Sequence, residues 1–231
     1  MYLYYPMLDP TILLLIPAMI FSMWAQFKVK SAYSKYSEVD SVRGITSDQA
    51  ARSILDSNGL TNINIEHIEG QLTDHYDPRA KVLRLSESVA GNTSIAAIGV
   101  AAHECGHAIQ DKENYAFLRF RNSIVPVVNI ASTLSMPLFF IGLLMSWLNL
   151  IDLGIALFCG VLVFHLVTLP VEFDASARAL RILSDTGLLE GNEIYGAKKV
   201  LSAAALTYVA ALVMTILQLV RLLALRNSRR N

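Results

Sequence analysis

The sequence predicts a mainly α-helical membrane protein: about three to four transmembrane helices, with a polar α+β region carrying a small sheet. Three observations predict it. Hydrophobic residues make up 54% of the 231 residues and charged residues 16%, against roughly 45–50% and 25% in a soluble domain. Four uncharged runs, of 18, 30, 19 and 21 residues (10–27, 122–151, 153–171 and 200–220), interrupt the chain, and a helix needs about 20 apolar residues to cross a bilayer. Between them the apolar period switches between helix-like and strand-like. The balance of 19 basic and 19 acidic residues excludes a strongly charged disordered chain and gives no support for nucleic-acid binding. Cys105 and Cys159 do not make a disulfide framework.

The expected organisation follows the charge map. Residues 8–27 form a membrane anchor. It lacks basic residues before it and a small-residue cleavage pattern after it, so it reads as retained and not as a cleaved signal peptide. Residues 28–122 hold 11 basic and 12 acidic residues and form the main polar region. Residues 123–169 form a transmembrane hairpin, bent at 147–154 around Trp147 and Asp152. Residues 170–200 return as a short polar segment. Residues 201–231 are an apolar helix with a basic tail. Hydropathy favours spanning by this last helix; the charge bias opposes it, because Arg221, Arg226, Arg229 and Arg230 would end outside. Lys28, Lys30 and Lys35 follow the first span, and Lys112, Arg119 and Arg121 precede the second. The positive-inside rule therefore puts both polar regions in the cytoplasm.

Within the polar region, Thr46 and Gln49 bracket the start of an amphipathic helix that Asn58-Gly59 stops. Residues 62–66 and 81–85 alternate like strands, and residues 73–78 have loop chemistry. A helix starts after Ser94. It carries His103-Glu104-Cys105-Gly106-His107. Histidines at i and i+4 share one helix face, so both rings can reach one ion. Glu104, about 100° round the helix, can reach a water beside the ion without binding it. Zinc held by three protein ligands keeps a position open for water and lowers its pKa towards about 7. A glutamate then moves the proton. Cys105 lies opposite His103, which excludes it as a ligand to the same ion. Gly106 costs about 1 kcal/mol against Ala in a helix and makes sense where another backbone or a metal ligand comes close.

The third ligand must come from elsewhere. His67, His75, His165, Glu172, Asp174, Asp185 and Glu193 are candidates. Glu172 stands where the hairpin returns to the side bearing His103, and Pro170 suits the first turn of a helix there. His165, seven residues earlier, is about 10 Å from Glu172 along a continuous helix; it reads as a packing histidine. His75 and Tyr76 read either as cleft residues or as turn residues. Tyr208 reads as an oxyanion donor or an aromatic packing residue.

The pentad extended through Ala108, Ile109 and Gln110, together with Glu172-Phe173-Asp174-Ala175-Ser176, resembles the YugP-type neutral zinc metallopeptidases of bacteria, similar in layout to HtpX-like membrane proteases. The resemblance covers nearly the whole chain. It implies a zincin-like catalytic region, one zinc ion on His103, His107 and Glu172, Glu104 as general base, and a multi-pass protein of the bacterial plasma membrane. In the HtpX-like pattern an Asp follows the ligand Glu by four residues; here that position is Ser176. Expected partners are a peptide or membrane-protein substrate and the lipid bilayer, with no nucleic acid. His75, Tyr76, Leu83 and Tyr208 are the substrate-side candidates, with residues 81–85 as the edge strand that takes the substrate backbone. The alternatives are a site-2-type intramembrane protease, disfavoured because Asp111, Lys112 and Glu113 follow the pentad at once, and a non-catalytic zinc-binding scaffold.

Overall fold

The computed structural model describes residues 10–228. Residues 1–9, and Arg229 and Arg230 of the basic tail, lie outside them. The described residues are mainly helical with one three-stranded sheet. Among the described residues, four helical stretches are long and apolar enough to cross a bilayer: Pro10–Ser37, Ala116–Leu144, Leu148–Asp185 and Asn192–Ser228. The first opens with a 3-10 segment, Pro10–Leu15, and continues as α1 (Ile16–Ser37). The other three are α4, α5 and α6. The fourth apolar run thus qualifies by length.

The chain divides into two compact units. One contains α1 up to Ala25, then Phe120–Thr168, and α6 from Thr207 onward. Its helices pack through small residues. A Cβ on Gly142 would stand 2.7 Å from Ile151 N, and one on Gly154 2.8 Å from Phe139 N and Ser135 O, so glycine lets the α4 and α5 backbones approach closely. Gly154 is therefore a contact point inside α5 and not part of a bend. The reversal is confined to residues 145–147, and Asp152 is already helical. Asp152 accepts from Arg226 Nε and Nη2 at 2.8 and 3.0 Å. That pairing neutralises one of the tail charges that argued against a fourth span.

The other unit is Gln26–Arg119 with Leu169–Leu206. Its helix α2 (Ser47–Ser57) starts as the sequence predicts: Gln49 N donates to Thr46 Oγ1 and Thr46 N to Gln49 Oε1, a capping box. It ends at Gly59, whose φ of 66° lets Leu60 N reach back to Leu55 O at 2.8 Å. The sheet has the order β1-β3-β2, from β1 (Asn64–Ile68), β2 (His75–Asp77) and β3 (Val82–Ser86). β1 runs parallel to β3 and β2 antiparallel to it. Two expectations are corrected here. Residues 75–77 form a strand, not a loop. And β3 is the central strand, with Leu83 opposite both Ile65 and Tyr76 and fully buried, so it offers no free edge to a substrate. The edge strand next to the pentad is β2.

Helix α3 (Ile95–Lys112), capped by Ser94, is buried among α2, β3, and the parts of α5 and α6 in this unit. Ile54, Leu85, Ile98, Ala101, Leu183 and Leu201 belong to one continuous core. Apolar residues cover α3 almost all round, as expected of a buried helix.

Candidate metal centre

Two helices bring the site together. On α3, His103 and His107 stand one turn apart with ring centroids 4.8 Å from each other. On α5, Glu172 faces them. Its Oε2 is 3.3 Å from His103 Nε2 and 3.7 Å from His107 Nε2. One ligand atom from each of the three lies within 4.8 Å of the others. Zinc binds imidazole nitrogen and carboxylate oxygen at about 2.0–2.2 Å, which separates two tetrahedral ligands by roughly 3.3–3.5 Å. The donor set and its spacing fit that ion.

The approach of the two helices depends on Gly106. A Cβ there would stand 2.6 Å from Ala175 O, deep inside van der Waals contact. The glycine between the two histidines therefore makes room for the backbone of the Glu172-bearing helix, the first of the two reasons the sequence suggests for it. Pro170 does not begin that helix. It lies inside α5 (Leu148–Asp185), so Glu172 gains nothing from a helix N-terminus; its place comes from the continuous helix and the Gly106 contact.

Each histidine has a partner on its second nitrogen. Ser176 Oγ lies 3.1 Å from His103 Nδ1. His107 Nδ1 lies 3.0 Å from Gln110 Oε1. The Gln110 amide donates in turn to Val171 O at 2.9 Å and Asp174 Oδ2 at 2.8 Å. Ser176 thus holds the place where an Asp occurs in the HtpX-like pattern. Asp174 points away from the histidines, as its spacing from Glu172 predicts, and reaches His107 only through Gln110. The sequence signal for Gln110 was its i+3 spacing from His107.

Glu104 is buried and its Oε2 accepts from Tyr76 N at 3.0 Å. Burial pushes its carboxyl up to about 7; the His103 ring and the Tyr76 bond pull it down, while Glu172 and Asp74 push it up. Tyr76 is fixed at its other end, because its hydroxyl donates to Asp111 Oδ2 at 2.7 Å. Burial, then Asp111, holds that phenol above its usual range, so it stays a donor.

The profile of a family described as "Putative neutral zinc metallopeptidase" matches residues 11–227. The chain belongs to this family. A protein of Bacillus subtilis (strain 168) named "Putative membrane protease YugP" is 52% identical over 210 residues, which span 91% of this chain and 93% of that protein. No solved structure matches.

Among the described residues no other histidine or acidic candidate joins the three metal donors. His165 and Tyr208 belong to the other compact unit, and His165 is not in the cluster of metal donors. His75 is exposed on β2, with Nδ1 2.9 Å from Thr73 O and Nε2 3.3 Å from Arg84 Nη1. His67 lies 2.5 Å from Asp48 Oδ1. Glu193 accepts from Val42 N at 2.6 Å and Glu190 N at 3.0 Å, a structural duty. Asp185 is exposed. Cys105 is fully buried in the core, and burial pushes its thiol well up.

Proposed function

We propose that this chain is a zinc metallopeptidase that hydrolyses peptide bonds at a single ion held by His103, His107 and Glu172. The convergence of these three donor groups carries the reading. A zinc ion bound there supplies Lewis acidity, polarising a carbonyl and acidifying water. Glu104 is the general base. It takes the water proton as the oxygen adds to the carbonyl carbon, and returns it to the amine nitrogen as the C–N bond breaks. The β2 edge receives the substrate backbone as an added strand; support comes from its place at the end of the sheet. Against the intramembrane alternative, α3 is not among the helices apolar enough to cross a bilayer. The test is metal analysis of the purified chain. Wild type carries about one zinc per chain and His103→Ala carries little; equal zinc in both would place the ion elsewhere, and zinc without turnover would favour the scaffold.

The polar residues that bear the site face the cytoplasm of a bacterial cell in this reading, supported by the lysines after the first span and the basic residues before the second. Single cysteines at Ser37 and Asn149, in a background without Cys105 and Cys159, test the orientation. In intact cells an impermeant thiol reagent labels Asn149→Cys and leaves Ser37→Cys unlabelled. The reverse pattern would turn the metal centre to the outside.

A further inference from the structure

We propose that Gln110 is a positioning residue of the metal centre: it locks His107 in the tautomer that bears its proton on Nδ1, and ties α3 to the turn of α5 that carries Glu172. This rests on the metal-centre reading above. The Gln110 side chain is fully buried, so its hydrogen bonds are not shared with solvent. Its Nε2 lies between Val171 O and Asp174 Oδ2. The same Asp174 oxygen accepts from Arg178 Nε at 2.6 Å. A peptide carbonyl and a carboxylate accept hydrogen bonds and cannot donate them. The amide nitrogen must therefore face them, and the Gln110 oxygen must face His107. That oxygen also only accepts, so His107 Nδ1 carries the hydrogen. In the neutral ring Nε2 then bears the lone pair, and Nε2 is the nitrogen turned to Glu172. Neutral imidazole binds a metal through such a nitrogen, and the bond made by the other nitrogen decides which one it is.

His103 is held differently. Its partner Ser176 is a hydroxyl, which can donate or accept, so that contact orients the ring without dictating the tautomer. Gln110 does two further things. It relays the charge of Asp174, which Arg178 braces against Glu113 at 2.5 Å. And its two acceptors sit one residue before and two residues after Glu172. One buried amide thus sets the spacing between a histidine ligand and the carboxylate ligand.

Gln110→Met keeps the volume and removes every polar contact. Two measurements on the full-length chain in detergent test the proposal: zinc affinity by competition with a chromophoric chelator, and the His107 tautomer from nitrogen-15 spectra of the histidine-labelled, chelator-stripped protein. Wild type shows the Nδ1–H tautomer. Gln110→Met shows a mixture and binds zinc about 10- to 100-fold more weakly, the usual effect of losing such a partner. Ser176→Ala leaves the His107 tautomer unchanged, and so does Asp174→Asn, which keeps an acceptor oxygen for the amide. Wild-type tautomer and wild-type zinc affinity in Gln110→Met would overturn the proposal. So would a bare Nδ1 on His107 in the wild-type spectrum, which needs no variant to fold. Failure of the metal-centre reading shows separately, as zinc affinity in wild type that His103→Ala does not lower.

Discussion

Glu104→Gln retains zinc and loses at least about 10²-fold in peptide hydrolysis, the contribution of a general base. The two side chains have nearly the same shape, and the Gln oxygen can still accept the Tyr76 N–H bond that Glu104 Oε2 accepts at 3.0 Å. The variant therefore keeps the fold and both imidazoles. What it loses is a group able to take a proton and give it back. The checking measurements are zinc content and the cleavage rate of a fluorogenic peptide set, made on the same preparation. A variant that holds zinc and cleaves at the wild-type rate would remove Glu104 from the mechanism.

Glu172 gives the second large effect. Glu172→Ala removes the third donor, so zinc binding weakens strongly and activity disappears. Glu172→Asp is sharper. It withdraws the carboxylate by about one methylene, ~1.5 Å, against a tolerance of about ±0.2 Å in metal–ligand distance. The helix cannot follow it inward, because Ala175 O already occupies the space beside Gly106. Zinc is partly retained and activity falls steeply. Asp185→Ala, at an exposed position in the same helix, changes neither. Glu193→Ala is not an equivalent control, since that carboxylate holds Val42 N and Glu190 N. If Glu172→Ala kept wild-type zinc affinity while His165→Ala lost it, the ion would lie deeper along α5 and the intramembrane reading would move ahead.

Features decided within a few residues were legible in the sequence. Thr46 and Gln49 cap α2 as a local exchange of two hydrogen bonds, Ser94 begins α3, and His103 and His107 share a face because the helix repeat puts them there. The four apolar runs follow from length and charge alone. Apart from Glu172, which the hairpin and the family resemblance single out, features that need a partner distant in sequence were not legible. Residues 75–77 look like loop because Asp74, Asp77 and Pro78 are turn formers. They pair as a strand because Ser86 N and Oγ hold Asp74 at 2.7 and 2.9 Å and because Leu83 and Glu104 take up Tyr76 from either side. Pro170 reads as a helix start, yet α5 runs through it; the interior of a long apolar helix tolerates a proline where neighbouring groups satisfy the freed backbone. Ser176 looks like a missing carboxylate until the fold puts its hydroxyl against His103. Spacing along one helix determines which side chains can act together. Packing between helices determines which atoms meet, and for Gln110 that meant contacts 61 and 64 residues away in the chain.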